Sequence, residues 1–143
     1  METKFFGQII IKHNNKILLQ RRLNTGYYDD YLTLPGGHVE SNETVLNCVC
    51  REVKEELNLD ISENMLKLYC IIDRQNPDKT KRYINLVFTL KSENINLNNI
   101  HNNEPDKCSE LVYCESDKLQ NDVIPYIKII LQDNTDYLHY IEE

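Results

Sequence analysis

This chain has no surplus of basic residues, no C-x-x-C pair and no long apolar run, and each absence removes a class of function. Sixteen lysines and arginines stand against 23 aspartates and glutamates, a formal charge of −7. That balance argues against a nucleic-acid polymer as principal partner, because non-specific affinity for a phosphate backbone comes from clustered Lys and Arg. A small anion escorted by a metal ion stays permitted. The five cysteines, Cys48, Cys50, Cys70, Cys108 and Cys114, are odd in number and scattered. They indicate neither a disulfide framework nor a zinc site, and we read them as reduced thiols of a cytoplasmic protein. Nothing approaches the ~20 apolar residues of a membrane span. The opening "METKFFGQIIIKH" lacks the basic lead and the apolar length of a signal peptide. A soluble protein with no membrane partner is expected. No repeat or linker interrupts the 143 residues, whose 41% apolar content suffices for one core, so a single domain over 1–143 is expected.

What is present reads as strands around a central helix. "FFGQIIIKH" (Phe5 to His13) and "KILLQRR" (Lys16 to Arg22) are rich in Ile and Leu and predict a strand, tight turn, strand. "LNTGYYDD" carries turn residues without periodicity and predicts a surface loop, followed by a short strand "YLTLP" stopped at Pro35 and a Gly36-Gly37 turn. A helix is predicted from near "SNET", capped by Ser41 or Asn42, through Leu57, with Asn58 in the left-handed conformation that closes it. "MLKLYCIID" and "RYINLVFTL" read as strands separated by "RQNPDKTK". The Asn-heavy "SENINLNNIHNNEPDK" reads as loop, "SELVYCE" as a strand and "IPYIKIILQ" as a C-terminal helix. Strands before and after a central helix predict an α+β or α/β sandwich.

The central helix carries an unusual load. Within "PGGHVESNETVLNCVCREVKEEL", in and just before the helix itself, four carboxylates, Glu43, Glu52, Glu55 and Glu56, face only two cations, Arg51 and Lys54. An exposed Glu-rich helix is the ordinary explanation of such a run. The helical wheel changes that: at about 100° per residue, Val45, Leu46, Val49, Val53 and Leu57 form one apolar arc. Glu56 falls inside that arc and Glu52 at its edge, while Lys54 points away. A partly buried carboxylate costs several kcal/mol unless a cation or donors compensate it. Glu52, Glu55 and Glu56 are related by i, i+3 and i+4, which brings their oxygens towards one place. Hard oxygen ligands at that density suit Mg²⁺ or Mn²⁺ and disfavour zinc. Gly36 and Gly37, without a Cβ, let backbone approach a metal or phosphate closely.

From Gly37 the chain runs through five residues to Glu43, then through seven to "REVKEELNL". This closely resembles the Nudix box of the nucleoside-diphosphate-X hydrolases, with Asn58 where that box has glycine. "ILLQRR", "NTGYYDDYLTLPGGHVE" and "EPDKCSELVY" extend the resemblance, more loosely, to small MutT-like members. The resemblance implies a Nudix fold, an α/β/α sandwich with a mixed sheet, the catalytic loop and helix on one side and the C-terminal helix on the other. It implies that Glu52, Glu55 and Glu56 hold divalent metal with the Gly36 carbonyl, and that Glu43 and Arg51 brace loop against helix. An alternative leaves Arg51 paired with Glu55 at i+4.

Relatives add an acidic residue from a later loop as base or metal ligand; Glu110 is the first candidate here and Glu104 the second. Glu55 or Glu110 would act as general base. Arg22, at a strand end, matches a phosphate-binding position. Tyr27, Tyr28 and Tyr31 crowd the preceding loop, where Tyr27 and Tyr28 could stack on a base or sugar. Gly37 and His38 could touch phosphate. Cys48 and Cys50 read as packing residues. The implied activity is Mg²⁺-dependent hydrolysis of a phosphoanhydride joined to a nucleoside, with nucleoside triphosphate giving monophosphate and pyrophosphate as the leading case. Dinucleoside polyphosphates, nucleotide sugars, ADP-ribose and coenzyme A are among the other substrates of that family. A non-catalytic nucleotide sensor on the same fold is the alternative outside enzymology. A homodimer is the default assembly for such proteins.

Overall fold

The computed structural model describes residues 1–90, 96–132 and 136–142; residues 92–95 of the Asn-heavy stretch lie outside it. In chain order the elements are β1 (Glu2–Ile10), β2 (Lys12–His13), β3 (Lys16–Arg22), β4 (Leu32–Thr33), β5 (Gly36–His38), α1 (Val45–Leu57), β6 (Leu66–Gln75), β7 (Lys81–Leu90), β8 (Cys108–Glu115), α2 (Pro125–Gln132) and β9 (Leu138–Glu142). No helix among the described residues is long and apolar enough to cross a membrane.

β1 is the spine of a mixed five-stranded sheet of order β5-β1-β7-β6-β9. It pairs in parallel with β7 and antiparallel with β5. β6 and β7 form the expected antiparallel hairpin. In a second sheet β3 carries β8 along one edge and β2 and β4 along the other. The segment Phe5 to His13 is therefore two strands in two sheets, divided at Ile11. Only β2 makes the hairpin with β3, through Asn14 and Asn15 at φ 53° and 62°, the left-handed pair that a two-residue hairpin turn requires.

From Gly7 to Ile10 both faces of β1 are buried, and alternation sorts the side chains there between two layers. Ile9 and Ile11 meet Val49, Val53 and Leu57 of α1. Ile10 meets Ile127, Ile130 and Leu131 of α2. In β6 a register shift between Leu68 and Cys70 inserts one residue and reverses the parity of the strand. Leu66 and Leu68 face the α1 layer, whereas Cys70 and Ile72 face the α2 layer. This is the expected α+β sandwich with one helix on each side of the mixed sheet.

Two local readings change. The cap of α1 is Thr44, whose side-chain oxygen accepts from the Asn47 N–H at 3.1 Å while Asn47 Oδ1 faces the Thr44 N–H. That reciprocal capping box starts the helix later than Ser41 or Asn42 would. Gly36 and Gly37 belong to β5 and are not only a turn. The other helix end is as expected: Asn58 has φ 57° and ψ 32°, and its N–H returns to the Lys54 carbonyl. β9 has no counterpart in the sequence reading.

Candidate active site

The apolar arc of α1 is pinned to the sheet by Val49, Val53 and Leu57, all fully buried, and this fixes which way the acidic residues point. Glu56, inside the arc, reaches β5: its Oε1 accepts from the Gly36 N–H at 2.9 Å. Glu52, with 16% of its side chain exposed, lies against Gly37, where an added Cβ would stand 2.5 Å from the carboxylate carbon. At Gly36 an added Cβ would overlap the Gly7 carbonyl oxygen, and φ is 143°. The Cys48 thiol donates to the Gly37 carbonyl at 3.4 Å. Burial and the charges of Glu43 and Glu52 push that thiol up to about 12, so it stays protonated as a donor.

Arg51 is the hub on the rim. It pairs with Glu43 through Nε (3.0 Å) and Nη2 (2.7 Å), and through Nη1 with Glu52 (3.0 Å) and Glu55 (3.2 Å). Its Nη2 also donates to the His38 carbonyl at 3.3 Å. The brace to Glu43 and the i+4 pair to Glu55 are thus both formed. Hydrogen bonds from Arg51 hold the Glu43 carboxyl down at about 2. Glu52 and Glu56 move the opposite way: burial raises both, and the neighbouring carboxylates, including Glu104, add to the rise.

One cavity of about 760 Å³ gathers Gly36, Gly37, Glu52, Glu55 and Glu56 with Arg22, Tyr27 and Glu104. Arg22 is fixed by its Nε bond to the Tyr27 carbonyl at 2.7 Å, with its guanidinium carbon 5.5 Å from the centre of the Tyr27 ring. Glu104 arrives on a loop that satisfies the open end of α1. The His101 N–H bonds the Leu57 carbonyl, the Asn103 N–H bonds the Glu56 carbonyl, and Asn103 Nδ2 bonds the Glu55 carbonyl at 3.1 Å.

Three expected residues are elsewhere. Glu110 stands across the ladder from Arg21, and cross-strand partners share a face. Its carboxylate takes Arg21 Nε at 2.7 Å, outside the cavity that Arg22 lines. Tyr28 packs against the α2 layer with Tyr31, ring centres 5.0 Å apart. The exposed His38 ring sits edge-on to Phe6 at 5.5 Å and does not line the cavity; its backbone alone joins the site, through Arg51. Conversely, the sequence reading passed over Gln8, Gln20, Thr33, Arg74 and Asn85, which are buried polar residues lining the same cavity. Their signal was there: Gln8 interrupts "FFGQIII" and Asn85 interrupts "YINLVF", single polar residues inside apolar strands.

The NUDIX domain family matches residues 5–132, nine-tenths of the chain and the whole of this constellation. The chain belongs to the NUDIX family. An 8-oxo-dGTP diphosphatase of Proteus vulgaris is 34% identical over 87 residues, 61% of this chain and 72% of that protein. An ADP-ribose pyrophosphatase of Methanocaldococcus jannaschii is 42% identical over 82 residues, 57% of this chain but 46% of that longer protein. Among solved structures, a MutT NUDIX hydrolase from Burkholderia pseudomallei superposes with a TM-score of 0.79 at 24% identity, covering 94% of this chain and all of that one. At that identity the likeness speaks for the fold. As a NUDIX protein with diphosphatase and pyrophosphatase relatives, the chain is a phosphoanhydride hydrolase.

NUDIX hydrolases use divalent metal, and the donor set here fits one. Five carboxylates, Glu40, Glu52, Glu55, Glu56 and Glu104, line one cavity, and two of them, Glu52 and Glu56, are pushed up by burial and by neighbouring carboxylates, a strain that a bound cation relieves. All the donors are hard oxygens. Among the described residues no three such side chains stand ready-made around an ion, and Arg51 Nη1 is bonded to both Glu52 and Glu55. A cation held by those two carboxylates would have to compete with Arg51 for them.

Proposed function

We propose that this NUDIX hydrolase, one domain over the whole chain, cleaves a nucleoside diphosphate-X phosphoanhydride with Mg²⁺. A nucleoside triphosphate going to monophosphate and pyrophosphate is the leading case. The observation that carries the reading is the convergence of Glu52, Glu55, Glu56 and Glu104 with Gly36 and Arg22 on one cavity. Glu52, Glu55 and Glu56, with the Gly36 carbonyl, would hold the metal, which when bound neutralises bridging phosphates and makes water a better nucleophile at neutral pH. Arg22, anchored through Nε, offers its remaining N–H groups to phosphate oxygens. Gly37, without a Cβ, leaves room for the Glu52 carboxylate to lie against β5. Glu104 takes the place proposed for Glu110 and accepts the proton of the attacking water, with Glu55 beside it. Tyr27 supplies a ring face for base or sugar.

A second reading, hydrolysis of ADP-ribose, is favoured by the 42% identity to the relative of that name. Purified protein assayed with Mg²⁺ against nucleoside triphosphates, ADP-ribose and nucleotide sugars, with pyrophosphate detection and chromatographic separation of the nucleoside monophosphates formed, tests both. Pyrophosphate released from triphosphates supports the first reading, AMP from ADP-ribose the second. Metal-independent turnover would overturn both. All five cysteines are free thiols, which suits the reducing cytoplasm as the compartment.

A further inference from the structure

On the α2 face of the mixed sheet, the row that buries Ile10, Val87 and Ile72 continues with Gln8, Asn85 and Arg74. These three polar residues are 7, 2 and 4% exposed, and all of them line the cavity. They are linked in series across three strands. Arg74 Nε donates to Asn85 Oδ1 at 3.1 Å, and Asn85 Nδ2 donates to Gln8 Oε1 at 2.8 Å.

The inner end of this relay is held fast. The Arg74 guanidinium carbon lies 4.3 Å from the centre of the Tyr126 ring and 4.9 Å from that of Tyr83, and Nη1 donates to the Tyr27 hydroxyl at 3.0 Å. A guanidinium is all donor and no acceptor, which settles the sense of both amides. Asn85 must turn its oxygen to Arg74, its NH₂ must then meet the Gln8 oxygen, and Gln8 is left presenting Nε2. Among the described residues no acceptor meets that nitrogen, and it is not one of the sealed, unpartnered atoms. It opens on the cavity. Phe6, Tyr83 and Tyr27 supply aromatic faces around it, and Lys4 adds a further donor.

We infer that the Arg74–Asn85–Gln8 relay is a specificity determinant, making the cavity select nucleobases that present a keto oxygen, as in guanine, thymine and uracil, over the amino edge of adenine. Donor meets acceptor in the first case. In the second, the exocyclic amine, which flanks both N1 and N7 of adenine, is brought against another NH₂. The inference deepens the proposed reading of the cavity as a nucleotide site and rests on it.

The test compares kcat/KM for dGTP, dTTP and dATP, with pyrophosphate detection, in the wild type, Asn85→Asp and Gln8→Leu. The wild type favours the keto substrates by about tenfold or more, the scale of one net hydrogen bond or one unpaired donor. In Asn85→Asp the carboxylate still satisfies Arg74 but accepts a donor from Gln8, whose amide turns over and shows its oxygen to the cavity. The preference shrinks and inverts towards dATP. Gln8→Leu removes the reading group, and the ratio falls to about one. Calorimetric binding of GMP, TMP and AMP to the magnesium-free wild type gives the same order and needs neither variant to fold. Equal kcat/KM for keto and amino substrates in the wild type, or an undiminished keto preference in a folded Asn85→Asp, overturns the inference while leaving the triphosphatase reading intact. If no triphosphate is hydrolysed, that reading fails, and the monophosphate titration decides the inference by itself.

Discussion

Arg51 and Glu43 meet side-on, Nε 3.0 Å from Oε2 and Nη2 2.7 Å from Oε1, the two-pronged arrangement in which a guanidinium holds a carboxylate best. The pair ties the loop before α1 to the middle of the helix, and through the same guanidinium to Glu52 and Glu55. One guanidinium therefore holds both the loop residue Glu43 and two of the carboxylates proposed to hold the metal.

Glu43→Gln should lower stability by about 1 kcal/mol at pH 7. The Glu43 carboxyl is depressed from 4.5 to about 2, so its contribution is complete above about pH 4.5 and is lost as pH falls through about 2. Urea unfolding of wild type and variant across the acid range checks this; the gap between them should narrow below pH 4.5. A gap independent of pH would contradict it.

Glu56 gives the opposite sign. Burial raises its folded-state value well above 4.5, so the metal-free protein carries the full benefit below pH 4.5 and loses it as pH rises towards the raised value. Glu56→Gln should therefore be more stable than wild type at pH 8 without metal. It should gain less from added Mg²⁺ and lose activity by about a hundredfold or more, as when a charge-stabilising group is removed. Thermal unfolding with and without Mg²⁺ at pH 5 and pH 8 reads both arms.

The two glycines of β5 should respond differently to a methyl group. Gly36→Ala meets fixed backbone at a φ that disfavours L side chains and should cost about 3 kcal/mol. Gly37→Ala meets the end of the Glu52 side chain, which can move. It should cost less than about 1 kcal/mol while raising the Mg²⁺ concentration for half-maximal activity by about tenfold. Denaturation midpoints and metal titrations separate them.

Glu104→Gln should lower kcat by about a hundredfold with little change in KM, within the usual range for a proton acceptor. Glu110→Gln should stay within about twofold of wild type in kcat, because it breaks only a peripheral pair with Arg21. Asn103→Ala frees the Glu55 carbonyl and loosens the loop bearing Glu104, giving an intermediate loss of about tenfold in kcat. Steady-state kinetics of the three variants decide the order; equal losses in Glu104→Gln and Glu110→Gln would contradict it.

The parts legible in the sequence were those written in one local period. The apolar arc of α1 placed Glu52 and Glu56 inward, and Asn58 marked the helix end because few other residues accept φ 57°. Thr44 was passed over because Ser41 and Asn42, equally good caps, precede it. Glu110 was misplaced because its direction depends on which residue of β3 it opposes, a pairing between distant segments. β9, an edge strand rich in exposed residues such as Leu138 and Tyr140, has no buried alternation to betray it. The cavity floor is a tertiary object: Gln8, Asn85 and Arg74 become one feature only when β1, β7 and β6 lie side by side.

The extra residue in β6 has a mechanical consequence. By moving the strand's apolar side chains from the α1 layer to the α2 layer part-way along, it stitches the two halves of the sandwich together as a thread passed through cloth. Neither helix can peel away without tugging on a strand that the other one grips. The acidic rim that α1 carries and the polar floor beneath α2 are thereby held in mutual alignment from opposite sides of a single woven sheet.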